Sequence, residues 1–255
     1  MIKPDYESVA SEYEKARSIP DSGLGDWRVA LAPHCSASTH VLDVGAGTGV
    51  WSELFHEWFA ARVSAIDPSS EMLRIARKLR SRDSIDYTRS TADEIPLGTG
   101  QCEVAWLSTV VHHFPDLDTA AQEISRVLTP DATVLVRSSF PTRHDKISLF
   151  AFFPEASDVA SNFPTVEAVV AAFSPFGFEM KELRSVAQTS ASSLRDYRGN
   201  LVKRADTTLR SISDEAFERG VHRLDEAVAK SPDTPVVDSL DLLVLRRTSA
   251  PGLSD

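Results

Sequence analysis

The 255-residue chain has only two cysteines, Cys35 and Cys102. They are too few and too far apart for a disulfide framework or a Cys-x-x-Cys zinc site, and they read as incidental thiols. No apolar run approaches the ~20 residues that span a bilayer as a helix. The opening Met1-Ile2-Lys3-Pro4-Asp5 lacks the apolar core of a secretory signal, so a cytoplasmic protein is expected. Basic residues are in deficit: 27 Lys and Arg against 37 Asp and Glu leave a net charge of −10. A grip on a nucleic-acid backbone needs a basic face, because phosphate contacts come from Lys and Arg. Nucleic acid is therefore a poor substrate class. No internal repeat is present. What remains is an ordinary globular composition, 42% hydrophobic, enough for a full core. The length suits one α/β domain with an elaboration, or barely two domains.

One stretch carries a specific signal. Val41-Leu42-Asp43-Val44-Gly45-Ala46-Gly47-Thr48-Gly49-Val50-Trp51 reads as a buried strand that breaks into three alternating glycines and then enters a helix. Glycine is needed where backbone turns tightly or approaches a ligand with no Cβ in the way. A helix N-terminus after such a turn offers free N–H groups and a positive dipole end, which suits a carboxylate or phosphate. The spacing is G-x-G-x-G, whereas a dinucleotide site wants G-x-G-x-x-G. That counts against a nucleotide-dependent oxidoreductase. A second short strand, Val63-Ser64-Ala65-Ile66-Asp67, ends in an acid 22 positions after Gly45. This is close to the ~20-residue offset at which a carboxylate meets ribose hydroxyls. The alternative for Asp67 is an N-cap on the helix that follows.

Elsewhere apolar periodicity alternates between strand and helix. Strands are expected at about 39–44, 63–67, 84–88, 103–108, 133–137, 178–186 and 239–246, the last with Leu240, Leu242 and Val244 alternating. Helices are expected at about 5–19, 27–31, 50–60, 69–80, 118–128 and 165–173, with two more at 192–212 and 213–230. Their core faces are Val50, Leu54, Phe55 and Trp58; Ala120, Ala121, Ile124, Val127 and Leu128; and Val166, Val169, Val170 and Phe173. Residues 138–162 are irregular and aromatic. Arg195, Arg198, Lys203, Arg204 and Arg210 read as a solvated face, with Tyr197 and Leu201 inward. The segment after the fourth strand carries His112-His113. In an open parallel sheet, ligands sit beyond the carboxyl ends of strands near the switch point, so this pair falls near a reacting group.

With Asp43 ahead of it, the glycine turn resembles motif I of the class I S-adenosylmethionine-dependent methyltransferases. Ser90-Thr91-Ala92-Asp93-Glu94-Ile95-Pro96-Leu97 resembles their Gly-Asp-Ala-Glu-x-Leu-Pro segment, with Thr91 at the acid position. Thr109-Val110-Val111-His112-His113-Phe114-Pro115-Asp116 resembles the His-His-Phe-x-Asp ending of small-molecule enzymes. The Asn/Asp-Pro-Pro-aromatic motif of the amino- and DNA-methylating branch is absent. Ile124 to Ala132 resembles motif III, with Asp131 and Ala132 where glycine usually stands. Tyr6, Tyr13 and Arg17 match the Tyr-…-Tyr-…-Arg helix of the UbiE-like, type 11 group.

The resemblance implies a Rossmann-like, doubly wound, seven-stranded and mostly parallel α/β sheet with an antiparallel last strand and helical lid insertions. It implies a single domain over 1–255: a cofactor-covering helix at 5–19, a cofactor-binding half at 39–137, and lid and substrate-side elements at 138–237. The implied cofactor is S-adenosylmethionine, yielding S-adenosylhomocysteine, with no metal. It would lie against Tyr13, Arg17, Gly45, Ala46, Gly47, Asp67, Pro68, Met72, Thr91, Ala92, Leu107 and Ser108. Thr91 offers the adenine amino group a weaker hydrogen bond than an acid does, while Ala92 keeps a backbone contact to the ring. The implied reaction is in-line methyl transfer to a small apolar or aromatic metabolite, with O, N and C acceptors all open. Alignment alone can supply about 7–11 kcal/mol of such a barrier. His113 and His112 are candidate bases. Neighbours on a turn point different ways, so one of the two is expected to face the acceptor. Alternatively the pair touches the cofactor or caps the next helix. His144 is a third candidate. A non-methylating cyclisation or isomerisation on the same scaffold would show the same motifs. The expected partner is the small-molecule substrate, without nucleic acid or membrane, in a monomer or homodimer.

Overall fold

The computed structural model describes residue 20 and residues 23–248. The helix expected over 5–19, with Tyr6, Tyr13 and Arg17, lies outside the described residues. Strands β1 (His40–Val44), β2 (Arg62–Asp67), β3 (Ile85–Arg89), β4 (Cys102–Ser108), β5 (Leu128–Ser138), β6 (Phe178–Ala191) and β7 (Val236–Arg247) form one sheet. Their order is β3-β2-β1-β4-β5-β7-β6. β1 pairs in parallel with β2 and β4, β2 with β3, and β4 with β5. β7 is antiparallel to β5 and β6, which is the expected architecture. Val41, Leu42, Val63, Ala65, Val104, Ala105, Trp106 and Leu107 are all buried. Strands covered on both faces read as continuous apolar runs.

The helices are α1 (Gly25–Leu31), α2 (Val50–Phe59), α3 (Ser70–Leu79), α4 (Leu117–Val127), α5 (Ser148–Phe152), α6 (Pro154–Ala160), α7 (Val166–Phe173), α8 (Leu194–Gly199), α9 (Thr207–Arg210) and α10 (Asp214–Lys230). Side-chain caps open several of them: Ser69 accepts from the Met72 N–H, Asp116 from Thr119, Thr165 from Ala168 and Ser213 from Ala216. The inward face expected for α4 is buried at every named position. Among the described residues no helix is long and apolar enough to cross a membrane.

Five features depart from the sequence reading. Residues 138–162, read as irregular, contain the short helices α5 and α6. The helix expected over 192–212 breaks into α8 and α9, with a 3-10 turn at Lys203–Ala205. Gly199 and Asn200 are poor helix formers. Asp206 then starts a new helix by accepting from the N–H groups of Thr208 and Leu209. On α2 the buried residues are Ser52 and Phe55, while Val50, Leu54 and Trp58 are half-buried. β5 begins earlier, at Leu128: its partners on β4 step from Cys102↔Leu128 to Val104↔Thr133, so residues 129–132 bulge from the ladder. β7 is buried continuously from Leu240 to Leu245, because it lies between β5 and β6 rather than at an edge.

The chain divides into two compact units. One comprises, among the described residues, Leu31–Ser138, Pro164–Arg184 and 242–248, and it contains the glycine turn. The other comprises, among the described residues, 20 and 23–30, Ser139–Phe163 and Ser185–Asp241. Leu149, Phe153, Ala156, Leu209, Ile212 and Ala216 form a core of this second unit, with Tyr197 and Leu201 packed against it. Its buried Asp241 is paired with Arg143 and also accepts from the Ser185 hydroxyl.

Candidate active site

Sheet order reverses between β1 and β4, and the loops leaving their carboxyl ends meet in the first unit. After β1 the N–H groups of Gly45 and Ala46 both donate to the Ile66 carbonyl, at 2.8 and 3.0 Å. Gly45, Gly47 and Gly49 have φ of 71°, 56° and 83°, the left-handed region where a Cβ is penalised. Gly45 is also hemmed in: a Cβ there would stand 2.4 Å from Cγ2 of Val110, in the loop after β4. At Gly47 a Cβ would meet nothing within 4 Å. The turn therefore leaves space at the N-terminus of α2, where backbone N–H groups and the helix dipole favour a negative group.

Two carboxylates stand behind and beside this turn. Asp43 is 1% exposed, and its Oδ2 accepts from the Ser52 hydroxyl at 2.6 Å. Burial pushes the Asp43 carboxyl up to about 7; the Ser52 bond offsets part of that rise and the nearby Asp67 charge adds to it. Asp67 ends β2, and its Oδ2 accepts from the Gly47 N–H at 2.9 Å while Oδ1 accepts from Ser69 at 2.8 Å. Ser69, not Asp67, is the N-cap of α3. A carboxylate oxygen has lone pairs for more than one donor, so this geometry leaves Asp67 suited to hydroxyl groups of a ligand.

The segment from Ser90 to Leu97 follows β3, and its Ser90 N–H donates to the Asp67 carbonyl at 3.2 Å. Thr91 is exposed and Ala92 half-buried. Of the other expected contacts, Pro68 is exposed, with its carbonyl accepting from Arg89. Met72 and Leu107 are core residues, 2% and 0% exposed, and their side chains pack inside the fold rather than lining a surface. The Ser108 hydroxyl accepts from Arg137 Nη1 at 3.2 Å.

Beyond β4, Thr109 takes a left-handed φ of 51°, and its N–H donates to the Arg137 carbonyl at 2.7 Å. A threonine held there marks a turn that its surroundings constrain. Val111–His113 then form a 3-10 turn. The imidazoles of His112 and His113 do not diverge as expected: their centroids lie 4.0 Å apart, tilted by 51°. Both are half-buried, and one tight turn brings the two rings together. Neither caps the next helix, a place taken by Asp116. His144 belongs to the second unit, where its ring nitrogens face the Phe140 carbonyl and the Ser157 hydroxyl.

Several residues around these loops gave no local signal in the sequence. Ser52 supports Asp43, and Val110 closes on Gly45. Arg137, 6% exposed, lies over the Trp51 ring at 5.2 Å. Trp51 in turn packs on Trp106, with centroids 4.8 Å apart. Each meets its partner from a different strand or helix, so spacing along the chain does not announce it.

Sheet order, antiparallel seventh strand and left-handed glycine turn together define the class I methyltransferase fold. Residues 42–136 match the family model described as a methyltransferase domain, Methyltransf_11, and this stretch of the chain is such a domain. A demethylmenaquinone methyltransferase from Chlamydia pneumoniae is 29% identical over 147 residues, covering 55% of this chain and 64% of that protein. Among curated relatives the match spans between 41% and 64% of their length. Two solved structures share the fold at low identity. A Haloferax volcanii protein in complex with the Trm112 methyltransferase activator has a TM-score of 0.63 at 16% identity, covering 98% of this chain and 100% of that one. The [4+2]-cyclase SpnF has a TM-score of 0.60 at 17% identity, covering 96% and 95%.

Proposed function

We propose that this chain transfers the methyl group of S-adenosylmethionine to a small apolar or aromatic metabolite. The observation that carries the reading is the Gly47–Asp67 pairing: a left-handed turn with space above it, fastened to an acid at the end of the neighbouring strand. The residues fit the cofactor's groups. The turn and the start of α2 would receive the amino-acid carboxylate, Asp67 the ribose hydroxyls, and Thr91 with the Ala92 N–H the adenine. When bound, the cofactor supplies an activated methyl group and its own leaving group. The chain's part is to align an acceptor beyond the β4 loop and exclude water. His112 or His113 takes the acceptor's proton where the acceptor is a hydroxyl, amine or acidic carbon. The same reading places the enzyme in the cytoplasm as a monomer or homodimer, engaging neither nucleic acid nor membrane.

Calorimetric titration with S-adenosylhomocysteine tests the cofactor side. The wild-type chain binds, and Gly47→Val and Asp67→Ala abolish binding; undiminished binding by both variants sinks the assignment. Screening metabolites with labelled cofactor for a gain of one methyl group tests the reaction. The fold shared with a [4+2]-cyclase supports a second reading, in which the bound cofactor is structural and the product is an isomer of the substrate. Product mass separates the two.

A further inference from the structure

The Ser90–Leu97 segment contains no helix or strand, yet its far end is held at three main-chain atoms by two side chains of α4. Glu123 Oε1 accepts from the Ile95 N–H at 2.9 Å. Arg126 Nη1 donates to the Leu97 carbonyl at 2.9 Å, and Nη2 to the Ile95 carbonyl at 3.0 Å. The two side chains are also locked to each other, Nε to Oε2 and Nη2 to Oε1, both at 2.7 Å. This arrangement needs the planar fork of a guanidinium; an ammonium is a point charge and cannot span both carbonyls and the carboxylate in one plane. The Arg126 guanidinium holds the Glu123 carboxyl below its usual range, so the pair stays ionised at neutral pH. At its near end the segment is tied to the Asp67 carbonyl through Ser90. Thr91 and Ala92 lie between the two ties. A polar loop outside any ladder costs about 1–2 kcal/mol per residue to order, and here the ordering groups are named side chains.

We propose that Glu123 and Arg126 are positioning residues for base recognition, fixing where Thr91 and Ala92 meet the ring of the nucleoside. This rests on the S-adenosyl reading above. The pair touches main chain rather than ligand, so it acts through the loop. Loosening it should cost selectivity for the base as well as affinity.

The experiment titrates wild type, Arg126→Met, Arg126→Lys and Glu123→Gln with S-adenosylhomocysteine and with its hypoxanthine counterpart, S-inosylhomocysteine. Thermal melts of each variant accompany the titrations. In wild type the adenine ligand binds more tightly. Arg126→Met and Glu123→Gln weaken it by about tenfold and bring the two dissociation constants together, while Arg126→Lys falls between. Folded variants with wild-type affinity and wild-type selectivity overturn the proposal. So does an equal loss for both ligands, which is what a merely structural role would produce. If Arg126→Met fails to fold, Glu123→Gln and Arg126→Lys carry the same comparison. A wild-type chain that binds both ligands equally overturns the placement of the base at this loop. One that binds neither overturns the cofactor reading itself.

Discussion

The Asp67 carboxylate takes the Gly47 N–H at 2.9 Å on one oxygen and the Ser69 N–H at 2.8 Å on the other. One side chain thus fastens the glycine turn after β1 to the start of α3, at the side of the sheet's switch point. Hydrogen bonds to a charged acceptor contribute about 1.5–3 kcal/mol each. Asp67→Ala is expected to lower unfolding stability by on the order of 3 kcal/mol as well as remove cofactor binding. Asp67→Asn retains one acceptor oxygen and should fall between. Urea denaturation measures both; an unchanged midpoint for Asp67→Ala contradicts the role.

Asp43 makes stability depend on pH. Its carboxyl sits at about 7 in the folded chain against an ordinary 3.8, so the folded state binds the proton more tightly than the unfolded state. The contribution is fully present below about 4 and is lost as pH rises through about 7. Asp43→Asn keeps an acceptor for Ser52 and removes the titration. Its melting temperature should vary less than wild type's between pH 5 and pH 8, and equal slopes would exclude the effect.

The histidine pair separates binding from chemistry. His112→Ala and His113→Ala should each leave S-adenosylhomocysteine affinity within about threefold of wild type, because a base for the acceptor does not hold the cofactor. One of the two should lower kcat by about 10²-fold or more once an acceptor is known. If neither changes the rate, alignment alone carries the reaction.

Arg143 and Asp241 form a two-pronged pair in the second unit, with bonds of 2.7 and 2.9 Å and the acid 1% exposed. Removing one partner of a buried pair strands the other, at a cost of about 3–5 kcal/mol. The arginine here is partly solvated, so Arg143→Met should cost near the lower end. The double variant Arg143→Met with Asp241→Asn should recover much of that loss. A double-mutant cycle in denaturant reads the coupling; purely additive losses would refute it.

Much of the fold was legible because buried parallel strands and amphipathic helices leave period-specific apolar patterns. All seven strands form at the expected places, although β5 starts earlier and β6 runs further than expected, and α4 buries its predicted face. Patterns failed where a polar contact competed with periodicity. Ser52 is on the buried face of α2 because Asp43 holds its hydroxyl. The helix expected at 192–212 stops because Asp206 caps a new one. At the site, the glycine turn and the acid closing β2 were legible from spacing, whereas the close, tilted approach of the His112 and His113 rings on a single turn was not.

The succession of strands and helices along the chain, the glycine turn and the acid closing β2 were determined by the sequence itself, through chain-local rules of burial, spacing and backbone freedom. Which side chains hold those parts in place was decided only in three dimensions. Gly47 finds Asp67 across 20 positions, Ile95 finds Glu123 across 28 and Arg126 across 31. Hydrogen bonds depend on distances of about 3 Å and near-linear approach, and for residues so far apart only the packed sheet and its helices set those distances.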